Sequence, residues 1–223
     1  MDLLYDPVPG PGTDRILLIM LPGANDKPEA FVRHGFVQAV RQREPAVDTV
    51  AADAHLDYYL ERTVIQRIDE DVVAPARARG YKRIWLVGVS VGGMGSLLYA
   101  RAHPGVIEGV ILLAPYLGST GAIAELARSG GFASWQPASA AAVDDESALL
   151  VWLKAYQPGS VDRPRIFLGY GRSDRFALAG ELLAARLPAQ QVSVSDGGHD
   201  WQTWTRLWSR ILDQNPFAGT ATN

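Results

Sequence analysis

Apolar residues in this chain cluster in short unbroken runs, separated by stretches in which they recur every three or four positions. The runs are "RILLIMLPG" (15–23), stopped by Pro22-Gly23, then "AVDTVAA" (46–52), "RIWLVGV" (83–89), "GVILLAP" (109–115), "RIFLGYG" (165–171) and "QVSVSD" (191–196). A continuous apolar run of that length reads as a strand buried on both faces, as in a parallel sheet covered by helices. In "ERTVIQRIDEDVVAPARARG" (61–80), Val64, Ile65, Ile68, Val72 and Ala76 share one helical face, and Gly80 supplies the stop. Near the C-terminus Trp201, Trp204, Trp208 and Ile211 form one stripe, which the spacing assigns to core packing rather than to a ligand cage.

Strand and helix alternate, which predicts βαβ units: an α/β fold, a three-layer α/β/α sandwich with a mostly parallel sheet of about six strands. A doubly wound order 2-1-3-4-5-6 would place the reversal between the strands that carry "LPGAN" and "GVSVG". Ligands bind at the carboxyl edge of such a sheet, at that reversal. Residues 117–163 break the rhythm, being about three times as long as a usual connection. They contain helix-like pieces and read as a small lid inserted in a single domain spanning 1–223. No internal repeat is visible.

Composition narrows the function. Net charge is -3 over 223 residues, so no basic face points to nucleic acid or an anionic membrane. The chain has no cysteine, which excludes disulfides, thiolate metal sites and a cysteine nucleophile. No apolar run reaches membrane-spanning length, and the opening "MDLLYDPVPGPGTDR" lacks the basic start and apolar core of a signal peptide. The expected location is the cytosol.

The segment "IWLVGVSVGGMGSLLYA" (84–100) crowds four glycines and two serines between a strand and a predicted helix, Val91 to Arg101. Gly88-Val89-Ser90-Val91-Gly92 fits G-x-S-x-G, the sharp strand-to-helix turn that presents a nucleophilic serine. Such a turn strains the serine backbone by about 1–3 kcal/mol. Side chains at positions 88 and 92 would collide there, and Gly93 and Gly95 would let the helix lie close on the sheet. The helix start also turns the Val91 amide toward Ser90, where developing negative charge would be favoured. The plainer alternative is a serine that only caps the helix.

On these residues the chain resembles the α/β-hydrolase family over nearly its whole length. A serine needs a base oriented by a third group. Of the four histidines, His199 in "SDGGHDW" follows the last strand on the same edge as Ser90, where the family carries its catalytic histidine. His103 reads as structural at a helix end, His34 as solvated, and His55 as a pocket-lining candidate together with Asp57, Tyr58 and Tyr59. Asp174 in "LGYGRSDRF" completes the family order Ser, Asp, His, ahead of its rivals Asp196 and Asp200. The second oxyanion donor should lie in "LPGAND", at Ala24 or Gly23, where this chain has Pro-Gly in place of the family's frequent His-Gly. The family's opening hairpin has only fourteen residues available before Arg15, enough for one short strand at "LLYD" or none, so a reduced sheet is expected.

The resemblance implies a serine hydrolase acting through an acyl-enzyme on carboxylic esters of small to medium acyl groups. It requires no metal or organic cofactor, and its partner is a small-molecule ester or thioester. Phe132, Trp135, Trp152 and Leu153 of the insertion are candidates for an apolar acyl pocket. A thioesterase or acyltransferase uses the same machinery. A non-catalytic receptor on the same fold is the alternative of another class.

Overall fold

The computed structural model describes residues 1–8, 15–44, 46–137, 144–160 and 162–218. Seven strands form one sheet: β1 (Leu3–Asp6), β2 (Ile16–Leu21), β3 (Val47–Ala52), β4 (Arg83–Val89), β5 (Gly109–Leu113), β6 (Arg165–Gly171) and β7 (Val192–Ser195). Their spatial order is β1-β3-β2-β4-β5-β6-β7, and every neighbouring pair is parallel except β1 with β3. All six predicted strands are present in the predicted order, with the reversal between β2 and β4. The sheet is larger than expected by one strand: "LLYD" pairs antiparallel with β3, Leu3 opposite Ala52 and Asp6 opposite Thr49. The Pro/Gly-rich stretch that follows, 9–14, lies outside the described residues.

The helices are α1 (Glu29–Arg33), α2 (Phe36–Arg43), α3 (Leu56–Leu60), α4 (Val64–Ile68), α5 (Ala74–Ala78), α6 (Val91–Ala102), α7 (Thr120–Arg128), α8 (Asp145–Lys154), α9 (Ala177–Ala184) and α10 (Trp201–Leu212). Strand β2 shows why its run had to be apolar throughout. Leu17, Ile19 and Leu21 pack into a core shared with α4, α5, α6 and α8, whereas Ile16, Leu18 and Met20 pack into a second core with α1, α2 and α10. A residue on either face of a central strand meets a helix, so the two-residue alternation of a half-exposed strand is erased. The tryptophan stripe behaves as its spacing implies for Trp204, Trp208 and Ile211, all within 5% exposure. Trp201 is only half-buried and has a polar partner, described below.

The helical pattern in 61–80 is not one regular helix. A π-helical turn, Asp69–Val73, joins α4 to α5. It ends just before Pro75, which is at the first turn of α5. In a continuous α-helix the Pro75 ring would clash with the carbonyl four residues back. The wider turn relieves that clash and buries both Val72 and Val73. Gly80, with φ +94°, ends the segment as expected.

The long connection between β5 and β6 carries α7 and α8; α8 packs on α6 and α7 on α9. Residues 138–143 and 161 of the expected lid lie outside the described residues. Phe132, Trp135 and Leu153 are buried in the core beneath this connection. They serve its packing.

Candidate active site

Ser90 stands between β4 and α6 with φ +54° and ψ -118°, a conformation that costs a residue with a side chain about 1–3 kcal/mol. Three backbone hydrogen bonds hold it there. Its N–H donates to the Leu113 carbonyl at 3.0 Å, and its own carbonyl accepts from the amides of Gly93 at 3.0 Å and Tyr116 at 2.9 Å. Two glycines make the turn sterically feasible. A Cβ on Gly88 would lie 2.2 Å from the Gly92 carbonyl oxygen, inside the elbow itself. A Cβ on Gly92 would lie 2.2 Å from the Leu21 carbonyl oxygen and 2.6 Å from that of Pro22. Gly92 therefore accommodates the end of β2 and the loop that follows it, not β4, the strand that leads into the turn. Gly93 makes room for Pro115 first, at 2.8 Å, and then for the Gly88 carbonyl of β4 at 3.4 Å, while Gly95 departs from expectation by admitting the Tyr59 ring.

The β2 loop and the start of α6 are thus pressed together. Ala24 and Val91 both line the cleft beside Ser90, while Gly23 does not. Among the described residues neither the Ala24 nor the Val91 amide has a hydrogen-bond acceptor. Two donors left open beside a helix N-terminus suit a developing oxyanion.

His199 Nε2 lies 3.0 Å from Ser90 Oγ, and its Nδ1 lies 2.9 and 3.0 Å from the two carboxylate oxygens of Asp174. The Asp174 side chain is fully buried, and Oδ1 also accepts from the Phe176 amide at 2.8 Å. Phe176 and Trp204 meet the imidazole edge-on, with ring centroids at 5.0 and 4.9 Å, and fix its plane. The rival carboxylates are elsewhere. Asp200 caps α10 by accepting the Thr203 amide at 2.8 Å, and that bond holds its carboxyl below the usual range. Asp196 is almost fully exposed, 3.7 Å from Arg172. His103 stacks on Tyr99 at the end of α6, as a structural histidine would. His34 departs from expectation: it is half-buried, stacked face to face on Trp201 at 4.5 Å.

The cleft above Ser90 has a volume of about 560 Å³. Leu56, Tyr59, Leu60, Met94, Tyr116 and Phe176 form its apolar walls, and Arg62, Arg175 and the first turn of α8 its charged rim. The Tyr59 hydroxyl is buried without a partner among the described residues, and burial raises its pKa. Burial and a hydrogen bond to Glu146 raise that of Tyr116 as well. Tyr116 donates to Glu146 Oε1 at 2.5 Å, and Glu146 Oε2 accepts the Ser119 amide at 2.8 Å, which ties α8 to the end of β5.

Of the side chains expected to line the pocket, Tyr59 does so, whereas His55, Tyr58, Trp135 and Trp152 do not. His55 and Tyr58 stack on each other at 4.0 Å outside it, with His55 Nδ1 3.6 Å from Asp57 and Arg67 over the Tyr58 ring. Trp135 is 6% exposed within the insertion, its indole nitrogen 3.4 Å from Glu125. Trp152 lies under the Arg163 guanidinium at 4.6 Å. The true walls follow β3, β5 and β6 at the carboxyl edge, a position from which Tyr116 and Phe176 could have been found.

A strained serine at the switch point of a doubly wound sheet, in line with an imidazole and a buried carboxylate, marks the class of serine hydrolases built on the α/β-hydrolase fold. The comparisons narrow this. The family model described as "Putative esterase" matches residues 36–213, four fifths of the chain and a span holding Ser90, Asp174 and His199. The chain belongs to this esterase family and is a serine-type carboxylic ester hydrolase. A search of curated proteins gave no match. Among solved structures, Est1E from Butyrivibrio proteoclasticus superposes with a TM-score of 0.61 at 18% identity, covering 96% of this chain and 92% of that one. S-formylglutathione hydrolase from Staphylococcus aureus gives 0.63 at 15%, covering 92% and 83%. A thioesterase domain from the curacin biosynthetic pathway gives 0.55 at 14%, covering 94% of each. At such identities the likeness establishes the fold alone. Among the described residues no helix is long and apolar enough to cross a membrane.

Proposed function

We propose that Ser90 is the nucleophile, His199 the general base and Asp174 the residue that orients it, acting on esters of small to medium acyl groups. The observation that carries this reading is the 3.0 Å approach of His199 Nε2 to a Ser90 Oγ held on a left-handed backbone. Oγ attacks the ester carbonyl as its proton passes to Nε2. Asp174, on Nδ1, fixes the tautomer and stabilises the imidazolium. The Ala24 and Val91 amides hold the tetrahedral oxyanion. His199 then returns the proton to the leaving alcohol, and the serine ester is cleaved by a water that His199 deprotonates, releasing the acid and restoring Ser90.

The cleft of about 560 Å³, with aliphatic and aromatic walls, supports a compact acyl group rather than a long chain. The start of α8, within the expected lid, contributes Asp145 and Glu146 to the rim. Thioesters form the second substrate class. Two fold relatives, the S-formylglutathione hydrolase and the thioesterase domain, carry thioester chemistry in their names, and the attack on carbon is the same. Hydrolysis of p-nitrophenyl esters of graded acyl length, beside matched thioesters, tests the proposal. Ser90→Ala should abolish turnover, about 10⁶-fold in kcat, together with fluorophosphonate labelling. Turnover that survives the substitution would refute the assignment.

A further inference from the structure

In the expected helix stripe, Trp208 donates its indole N–H to the Phe36 carbonyl at 3.1 Å, within its own core, whereas Trp201 reaches out to another loop. Trp201 is the first residue of α10, two positions after His199, and its indole Nε1–H donates to Asp26 Oδ1 at 3.1 Å. Asp26 closes the β2 loop: its amide donates to the Gly23 carbonyl at 3.1 Å. Its second carboxylate oxygen lies over Gly23, 3.1 Å from where a Cβ would be. The loop that carries the Ala24 amide is therefore fastened to the segment that carries His199, across 175 positions of sequence.

The indole is itself held on several sides. His34 stacks on it face to face at 4.5 Å, Phe31 and Phe36 meet it edge-on at 5.6 and 5.4 Å, and Trp204 at 5.2 Å. A ring so fixed can aim its single donor in one direction only. The loop is pinned on its far side too, by Lys27 Nζ on Asp53 at 2.9 Å. Yet Lys27 is largely exposed, and an exposed ion pair holds a loop weakly. The bond from Trp201 is the firmer tether.

We infer that Trp201 and Asp26 form a positioning pair that holds the oxyanion loop in register with the imidazole, so that Ala24 N–H is in place when Ser90 attacks. This rests on the functional reading above. The pair touches no reacting atom. Its action is through the loop, and its effect falls on the transition state, where the oxyanion exists, more than on substrate binding.

Three substitutions and two readouts test it. Trp201→Phe keeps a ring and removes the donor; Asp26→Ala removes the acceptor; Asp26→Asn retains an acceptor oxygen without the charge. Hydrogen exchange of the amides in 23–27, followed by mass spectrometry, should quicken about 10-fold in Trp201→Phe and Asp26→Ala while α10 and the sheet stay protected. Asp26→Asn should restore most of the protection that Asp26→Ala loses. For p-nitrophenyl acetate, kcat should fall about 10-fold in the first two variants at nearly constant KM, a fraction of the 10²–10³ lost with a whole oxyanion donor. The double variant should be no worse than the worse single one, because both remove one interaction. Wild-type exchange or wild-type kcat in Trp201→Phe overturns the inference, as does an Asp26→Asn variant as impaired as Asp26→Ala. Exchange is read without turnover. A wild type that cleaves no ester would thus count against the functional reading, while the exchange result still decides whether the pair holds the loop.

Discussion

Adding one methyl group at Gly92 should damage catalysis more than it damages the fold. The new Cβ would lie 2.2 Å from the Leu21 carbonyl oxygen and 2.6 Å from that of Pro22. Neither contact can be relieved by a side-chain rotation, because both neighbours are backbone. Ordinary carbon–oxygen contact requires the two segments to separate by about 1 Å, and a misplacement of that size costs about 10²-fold in rate where reacting groups must be aligned. The segment that gives way is the loop bearing the Ala24 amide, since α6 is fixed by its buried Leu97 and Leu98. Overpacking of this kind destabilises by about 1–3 kcal/mol, and each kcal/mol lowers Tm by roughly 2–4 °C in a chain of this length.

The assay is kcat on p-nitrophenyl acetate beside a thermal melt, with two controls. Gly95→Ala, on the same helix, brings its Cβ to 2.4 Å from the Tyr59 hydroxyl. That is a side-chain tip on the cleft wall, so KM should change more than kcat. Gly121→Ala has no atom within 4 Å of the added carbon and lies inside α7. It should leave activity intact and gain about 0.5–1 kcal/mol from helix propensity. A folded Gly92→Ala with kcat within a few-fold of wild type would refute the claim that the loop and the α6 terminus form one oxyanion site.

Asp174→Asn should lower kcat by about 10³–10⁴-fold, because an amide opposite Nδ1 favours the wrong tautomer. Asp200→Ala, 26 positions on, should instead cost about 0.5–2 kcal/mol of stability through its lost helix cap, with the rate per folded molecule unchanged. Glu108 gives a pH dependence. Burial pushes its carboxyl up, but Arg83, bidentate at 2.7 and 2.8 Å, and Arg165 at 3.0 Å bring it below the usual glutamate range. A depressed folded-state pKa means stability that is present above the unfolded value and lost as pH falls through the folded one. Denaturant melts of wild type and Glu108→Gln should therefore differ most at neutral pH and converge below about pH 4. A gap that stays constant through that range would count against the assigned shift.

The elements that the sequence disclosed best were those whose pattern has a single physical cause. An apolar run such as "GVILL" can be a parallel strand covered on both faces, and it is one. Strand β1 was legible only as a possibility. As an antiparallel edge it exposes Leu4 and Tyr5, and so lacks the unbroken burial that announced the others. The π-helical turn at 69–73 left no mark in a 3.6-residue periodicity; Pro75, in the middle of the pattern, was its one signal. Trp201 packs on the second core as its spacing implied, but helical spacing reports which face a residue is on and cannot report that an indole at the end of a helix has a carboxylate within reach.

The difference between the residues that were found and those that were not is a matter of distance from the strand. Ser90 follows β4 directly, Asp174 follows β6 by three residues and His199 follows β7 by four. Parallel strands deliver their carboxyl ends to one edge whatever lies between them, so residues this close to a strand end converge by topology alone. The cleft walls lie one step further out, on helices whose side chains turn by about 100° per residue. There neighbouring candidates part company: of the expected pair, Tyr59 lies against Gly95 and lines the cleft, while Tyr58 stacks on His55 outside it. Positions 93 and 95 held the missing information. Glycines early in α6 can admit more than the sheet, and Pro115 and Tyr59 are what these two admit. The candidate catalytic residues thus stand at strand ends, and the one cleft wall that these glycines place is Tyr59, set against Gly95.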